Sequence, residues 1–102
     1  MGIQKKFLKS KPVCKVTFEM PKEAVESAKK VYIVGDFNNW GKKSLPLKKL
    51  KTGAFKITID LPRGKEYQYR YLVDNKIWEN DWAADKYVPS PYDNTENSVV
   101  IV

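Results

Sequence analysis

The sequence predicts an all-β sandwich of about seven short antiparallel strands. Three observations lead there. Apolar and polar residues alternate over several short stretches, turn-forming Gly, Pro, Asn and Asp separate them, and no stretch carries a convincing helical period. The 102 residues suit one domain, large enough to bury a core without a metal or a disulfide.

Residues 1–11 read as a basic N-terminal tail and residues 12–102 as the folded domain. In residues 13–20, Cys14, Val16, Phe18 and Met20 alternate with Lys15, Thr17 and Glu19, the pattern of a half-buried strand that Pro21 ends. Residues 22–30 read as a polar connection. The apolar, β-branched run at 31–34 fits a central strand covered on both faces. Gly35, Asp36, Asn38, Asn39 and Gly41 then mark a loop holding two large rings, Phe37 and Trp40, of which Phe37 is the better candidate to seal the core. Leu45 and Leu47 suggest a short strand with Pro46 at an edge.

The clearest alternation joins Phe55, Ile57, Ile59 and Leu61. In the next strand Tyr67, Tyr69, Tyr71 and Val73 are expected to face the core, with Arg70 and Leu72 facing out. A turn at Asp74-Asn75 leads into Ile77 and Trp78, polar loop or edge structure follows, and residues 98–102 close the domain as a β-branched strand.

Composition narrows the chemistry. There is no histidine, so the commonest general base and the commonest metal ligand are both missing. The lone Cys14 sits at strand spacing with Val16 and Phe18 and is expected to pack as a small hydrophobe. No nucleophile–base pair or metal-ligand cluster is visible, so we expect no enzymatic activity, no catalytic residue, no metal and no cofactor. The basic start of the chain has no long apolar run, and the expectation is a soluble cytoplasmic protein that meets no membrane. The net charge of +7 comes from lysines in the first residues and in loops, as on a solvated surface. They do not lie between the tyrosines, as a base-stacking groove requires, so nucleic acid is an unlikely partner.

Two tryptophans stand out. Trp40 follows two asparagines on a polar loop, and a hairpin brings Trp78 back beside the outward side of the strand bearing Arg70. A flat ring beside amides and a guanidinium suits a sugar: indole covers the C–H face, while Asn and Arg meet the hydroxyl rim.

Val31-Tyr32-Ile33-Val34-Gly35-Asp36-Phe37-Asn38-Asn39-Trp40 resembles the signature of carbohydrate-binding module family 48. That family includes the glycogen-binding domain of the AMP-activated protein kinase beta subunit and the early-set domains preceding isoamylase, pullulanase and branching enzymes. The turn Asp60-Leu61-Pro62-Arg63-Gly64, the strand from Tyr67 to Asp74, Trp78 and the closing strand from Asn97 to Val102 continue the match, which runs from about Val13 to Val102. The resemblance implies an immunoglobulin-like (early-set) β-sandwich, here in a standalone form like the isoamylase N-terminal domain, that binds an α-glucan such as glycogen or starch. It implies stacking on Trp40 and Trp78, hydrogen bonding by Arg70 where the kinase domain has a lysine, and sugar contacts from Asn97 with Thr95 beside it.

The sequence departs from the pattern in three places. Asp93 stands near the position of a leucine that touches the glucan, with Tyr92 as a substitute apolar contact. The turn before Trp78 is one residue longer, and Trp82 follows Asp81 where the pattern has proline. Some early-set domains serve only as packing partners of an enzyme. The alternative reading is therefore a protein-interaction module that keeps the fold without sugar binding, its partner a glucan-metabolising enzyme or another protein.

Overall fold

The computed structural model describes residues 2–25, 28–41, 45–91 and 95–102. Among the described residues, nine strands form two antiparallel sheets: β1 (Gly2–Phe7), β2 (Val13–Met20), β3 (Val31–Gly35), β4 (Lys48–Lys49), β5 (Phe55–Pro62), β6 (Glu66–Val73), β7 (Ile77–Glu79), β8 (Lys86–Pro89) and β9 (Glu96–Ile101). One sheet runs β1-β2-β5-β4 and the other β3-β6-β9-β8, with β7 also paired to β6. The all-β sandwich expected from the alternation is the observed architecture.

The core follows from period two. Cys14, Val16, Phe18 and Met20 of β2 and Phe55 and Leu61 of β5 meet Val31, Ile33, Tyr67, Tyr69, Tyr71, Val73 and Val100 of the other sheet. Phe37 seals one end, its ring centroid 6.0 Å from Phe18, 6.2 Å from Tyr67 and 6.3 Å from Tyr69. Gly35 lets β3 lie close on β6. A Cβ there would sit 2.5 Å from the Gln68 carbonyl oxygen and 2.7 Å from Tyr69 Cβ.

The structure departs from the sequence reading in three places. Within the stretch read as a basic tail, Gly2–Phe7 form β1, paired with β2 along its whole length. Ile3 packs on the core, and Lys5 lies opposite buried Val16. Its ammonium reaches the Asp85 carboxylate of the other sheet's connection at 2.7 Å. Second, β3 is not central. It ends its sheet, and its free side is taken by the Leu45–Leu47 segment, where Ile33 N–H donates to Leu45 O at 3.0 Å and Leu47 N–H to Val31 O at 2.8 Å. Third, Pro46 contributes only an isolated bridge to Tyr32, and the regular strand follows it as β4 in the opposite sheet. The chain changes sheets there and closes that side of the sandwich.

A buried polar cluster lies at the inner side of β6. The hydroxyls of Tyr69 and Tyr71 both donate to Asp81 Oδ2, at 2.8 and 3.0 Å. Asp81 Oδ1 accepts the Ala83 N–H at 2.9 Å. The Asp81 N–H donates to Ser98 Oγ at 2.8 Å, which donates to Asn80 Oδ1 at 2.9 Å. Tyr87 donates its hydroxyl to the Asp81 carbonyl. Burial pushes both phenols far above the ordinary tyrosine range, and the adjacent Asp81 carboxylate adds to the rise.

Two outcomes follow. Gly35→Ala forces a methyl against backbone and is expected to lower unfolding free energy by about 1–3 kcal/mol, read by urea denaturation. In an alkaline titration followed at 295 nm, Tyr69 and Tyr71 are expected to stay protonated until the domain unfolds. Their folded pKa values lie above the unfolded value of 10.0. The stability linked to them is therefore complete below that value and is lost as pH rises beyond it. All six phenols ionising reversibly near pH 10 with the fold intact would refute the cluster.

Candidate functional site

The alternation that sends the tyrosines inward sends Gln68, Arg70 and Leu72 outward. Register adds neighbours on that side: Val34 opposite Arg70 and Tyr32 opposite Leu72 from β3, Trp78 opposite Leu72 from β7, and Val99 opposite Gln68 from β9. Leu72 faces outward as expected but is buried, because Tyr32 and Trp78 flank it in register. The result is an apolar floor with polar groups at one end.

Those polar groups are linked. Arg70 Nε donates to Asn97 Oδ1 at 2.6 Å, and its terminal nitrogen donates to Thr95 Oγ1. Asn97 Nδ2 in turn donates to Gln68 Oε1 at 3.0 Å. Three of the residues picked from sequence, Arg70, Thr95 and Asn97, are thus one hydrogen-bonded unit. Asn97 is only 3% exposed. One end of its amide holds Arg70 and the other is held by Gln68, so in this arrangement it orients the guanidinium.

Trp78 joins the unit through register, opposite Leu72 and on the side of β6 that β9 also occupies. The residue is 39% exposed. Trp40 is reached by another route. Its indole N–H donates to Asp36 Oδ1 at 2.9 Å, while Asp36 Oδ2 accepts the Gln68 N–H at 2.8 Å. One carboxylate therefore ties the half-buried indole to the Gln68 end of β6. Neither indole is sealed in the core.

The loop holding Trp40 is tightly built. Asn39 and Trp40 both take left-handed backbone angles, φ 54° and 58°, a conformation that costs a bulky residue free energy. Asn38 offsets that cost: its Oδ1 accepts the Gly35 N–H at 3.0 Å, and its Nδ2 donates to Ile33 O at 3.2 Å and Gly41 O at 3.4 Å. The Trp40 N–H closes the turn on Gly35 O at 2.9 Å. Asn38, grouped in the sequence with amides suited to a sugar, is thus a loop-building residue.

Asp36 and Gln68 were missed by sequence reasoning. Gln68 carried a usable signal, since it shares the outward side with Arg70 two positions away. Asp36 carried none beyond a general loop preference. Tyr92 and Asp93, the proposed departure from the family's apolar contact, lie outside the described residues.

A protein-family profile described as the glycogen recognition site of AMP-activated protein kinase matches residues 17–102. The pig 5'-AMP-activated protein kinase subunit beta-1 is 47% identical over 53 residues, 52% of this chain and 39% of the pig sequence. The human beta-1 subunit is 45% identical over 53 residues, 52% of this chain and 18% of its own. The mouse beta-2 subunit is 45% identical over 56 residues, 55% of this chain and 19% of its own. The aligned segments thus cover well under half of these relatives.

Removing the Asp36 carboxylate tests the loop. Asp36→Ala leaves the Gln68 N–H and the Trp40 indole N–H without this acceptor, and is expected to cost about 1–2 kcal/mol. Near-UV circular dichroism of the indoles is expected to weaken in parallel. An unchanged spectrum and denaturation midpoint would show that Asp36 does not hold the ring.

Proposed function

This chain belongs to the family described as the glycogen recognition site of AMP-activated protein kinase, and from that premise we propose that it binds an α-glucan chain on the outward side of β6 without catalysing a reaction. The single observation that carries the reading is the linked unit of Arg70, Asn97 and Thr95 beside the open indole of Trp78.

Trp78 and Trp40 are the proposed platforms, at opposite ends of the row Gln68, Arg70, Leu72. That row spans about 14 Å at strand rise. Each indole takes the C–H face of a glucose ring, and Arg70 donates to its hydroxyls. Asn97 and Thr95 fix the plane of the guanidinium, so less freedom is lost when the sugar arrives. The loop bonds around Asn38 do the same for Trp40.

Covering one indole face removes on the order of 100 Å² from water, or roughly 2–3 kcal/mol per platform at about 25 cal/mol per Å². Two hydrogen bonds from the guanidinium add about 1.5–3 kcal/mol each, against an association cost of at least about 4 kcal/mol. A dissociation constant on the order of 0.1–1 mM for a short oligosaccharide follows. A polymer with repeated sites raises the apparent affinity of any tethered or multimeric form.

Titration of maltoheptaose followed by tryptophan fluorescence is expected to saturate in that range. Trp78→Ala and Trp40→Ala are each expected to reduce retention on a starch gel at least tenfold while leaving the denaturation midpoint within a few degrees. Wild-type retention in the double variant would reject the site. Recovery of a defined protein partner, without any glucan dependence, would favour the interaction-module reading instead.

A further inference from the structure

Beyond the outward row, the β6–β7 turn carries a second feature. Lys29, Lys30, Asp74, Asn75 and Lys76 line an open recess of about 360 Å³. Its wall is fixed by backbone. Asp74 Oδ1 accepts the N–H groups of Lys29 and Lys30 at 2.8 and 2.9 Å, and the Asp74 N–H donates to Lys30 O at 2.8 Å. Asn75 holds a left-handed turn conformation at φ 60°.

The charges in this recess do not balance. Three lysines line it against one carboxylate, and that carboxylate is engaged by backbone amides. Among the described residues, ion pairs form at Lys5, Lys15 and Lys86 but at none of Lys29, Lys30 and Lys76. The bonds from Lys30 and Lys29 hold the Asp74 carboxyl below the ordinary carboxylate range, and the positive charges of Lys29 and Lys76 add to this.

We propose that this recess is a binding site for a phosphomonoester. Near neutral pH such a group approaches a charge of −2, matching the two positive charges left over, and its three terminal oxygens accept from lysine ammonium groups and from the Asn75 amide. Lys76, the last residue of the turn, lies two residues before Trp78, so their Cα atoms are at most about 7 Å apart. If the glucan lies over Trp78 as proposed above, a phosphate on a nearby glucose unit reaches the recess. The same chemistry also suits a free sugar phosphate.

The test uses the full chain and amide-resolved NMR with four probes: inorganic phosphate, glucose 6-phosphate, maltoheptaose, and maltoheptaose phosphorylated on one 6-hydroxyl. The phosphorylated oligosaccharide is expected to bind about tenfold more tightly than the neutral one, an advantage that shrinks as salt rises. The combined variant Lys29→Gln, Lys30→Gln, Lys76→Gln is expected to lose that advantage and to keep wild-type affinity for neutral maltoheptaose. Lys76→Gln alone, which leaves the Asp74 backbone clamp untouched, is expected to lose part of it.

Millimolar shifts at Asn75 and Lys76 with the two small phosphates, without a gain for the phosphorylated glucan, would identify the free sugar phosphate as the ligand. Phosphate shifts that persist when maltoheptaose fails to bind would keep the recess and reject the glucan reading. No shift at these residues with any phosphorylated probe, together with equal affinities for the two oligosaccharides, overturns the proposal.

Discussion

The two-residue period of β6 sets both the interior and the candidate surface. Tyr67, Tyr69 and Tyr71 point one way into the sandwich; Gln68, Arg70 and Leu72 point the other. A slip of one residue would bury the guanidinium and expose three phenols. The buried Asp81, bonded to two of those hydroxyls, makes such a slip costly, because each buried polar group would lose its partner. The outward row thus inherits its position from interactions on the opposite side of the same strand.

Neighbouring elements pass that constraint on. The missing side chain of Gly35 lets β3 approach the backbone at Gln68 and Tyr69. Asp36 comes directly after it and accepts from the Gln68 N–H. The loop that follows therefore starts from a fixed point on β6. Its two left-handed residues are held by an asparagine bonded at both ends of the turn. The ring at its end needs little reordering when a ligand arrives, and the conformational cost was met during folding.

Legibility in the sequence tracked how local the cause was. β2, β5 and β6 were plain because their alternation follows directly from having one side on the core. β1 was hidden because Lys5 occupies an inward position, where the alternation rule expects an apolar residue. β3 read as central because it is buried on both sides, yet its outer edge is covered by Leu45–Leu47, a segment that a proline keeps from reading as a strand. In the candidate site, residue types and spacing pointed to Trp40, Arg70 and Trp78. The role of Asn97 did not show, because its burial depends on Gln68 and Arg70, 29 and 27 positions away. The charge imbalance at the β6–β7 turn was equally invisible. Lys29 and Lys30 are brought beside Lys76 by the β3–β6 register, Val31 opposite Val73, and by the bonds from their backbones to Asp74.

Lys5 also bears on how molecules of this protein meet one another. β1 ends its sheet, so one side of its backbone has donors and acceptors that an extended strand from a second copy would complete. Extending the sheet in that way would run the hydrophobic interior on past β1. The inward ammonium would then lie inside a dry, lengthened layer, separated from the water that now reaches it. The pairing with Asp85 is tolerable at the rim and expensive inside such a stack. One misplaced-looking charge in the first strand therefore discourages open-ended, fibre-like growth along the sheet.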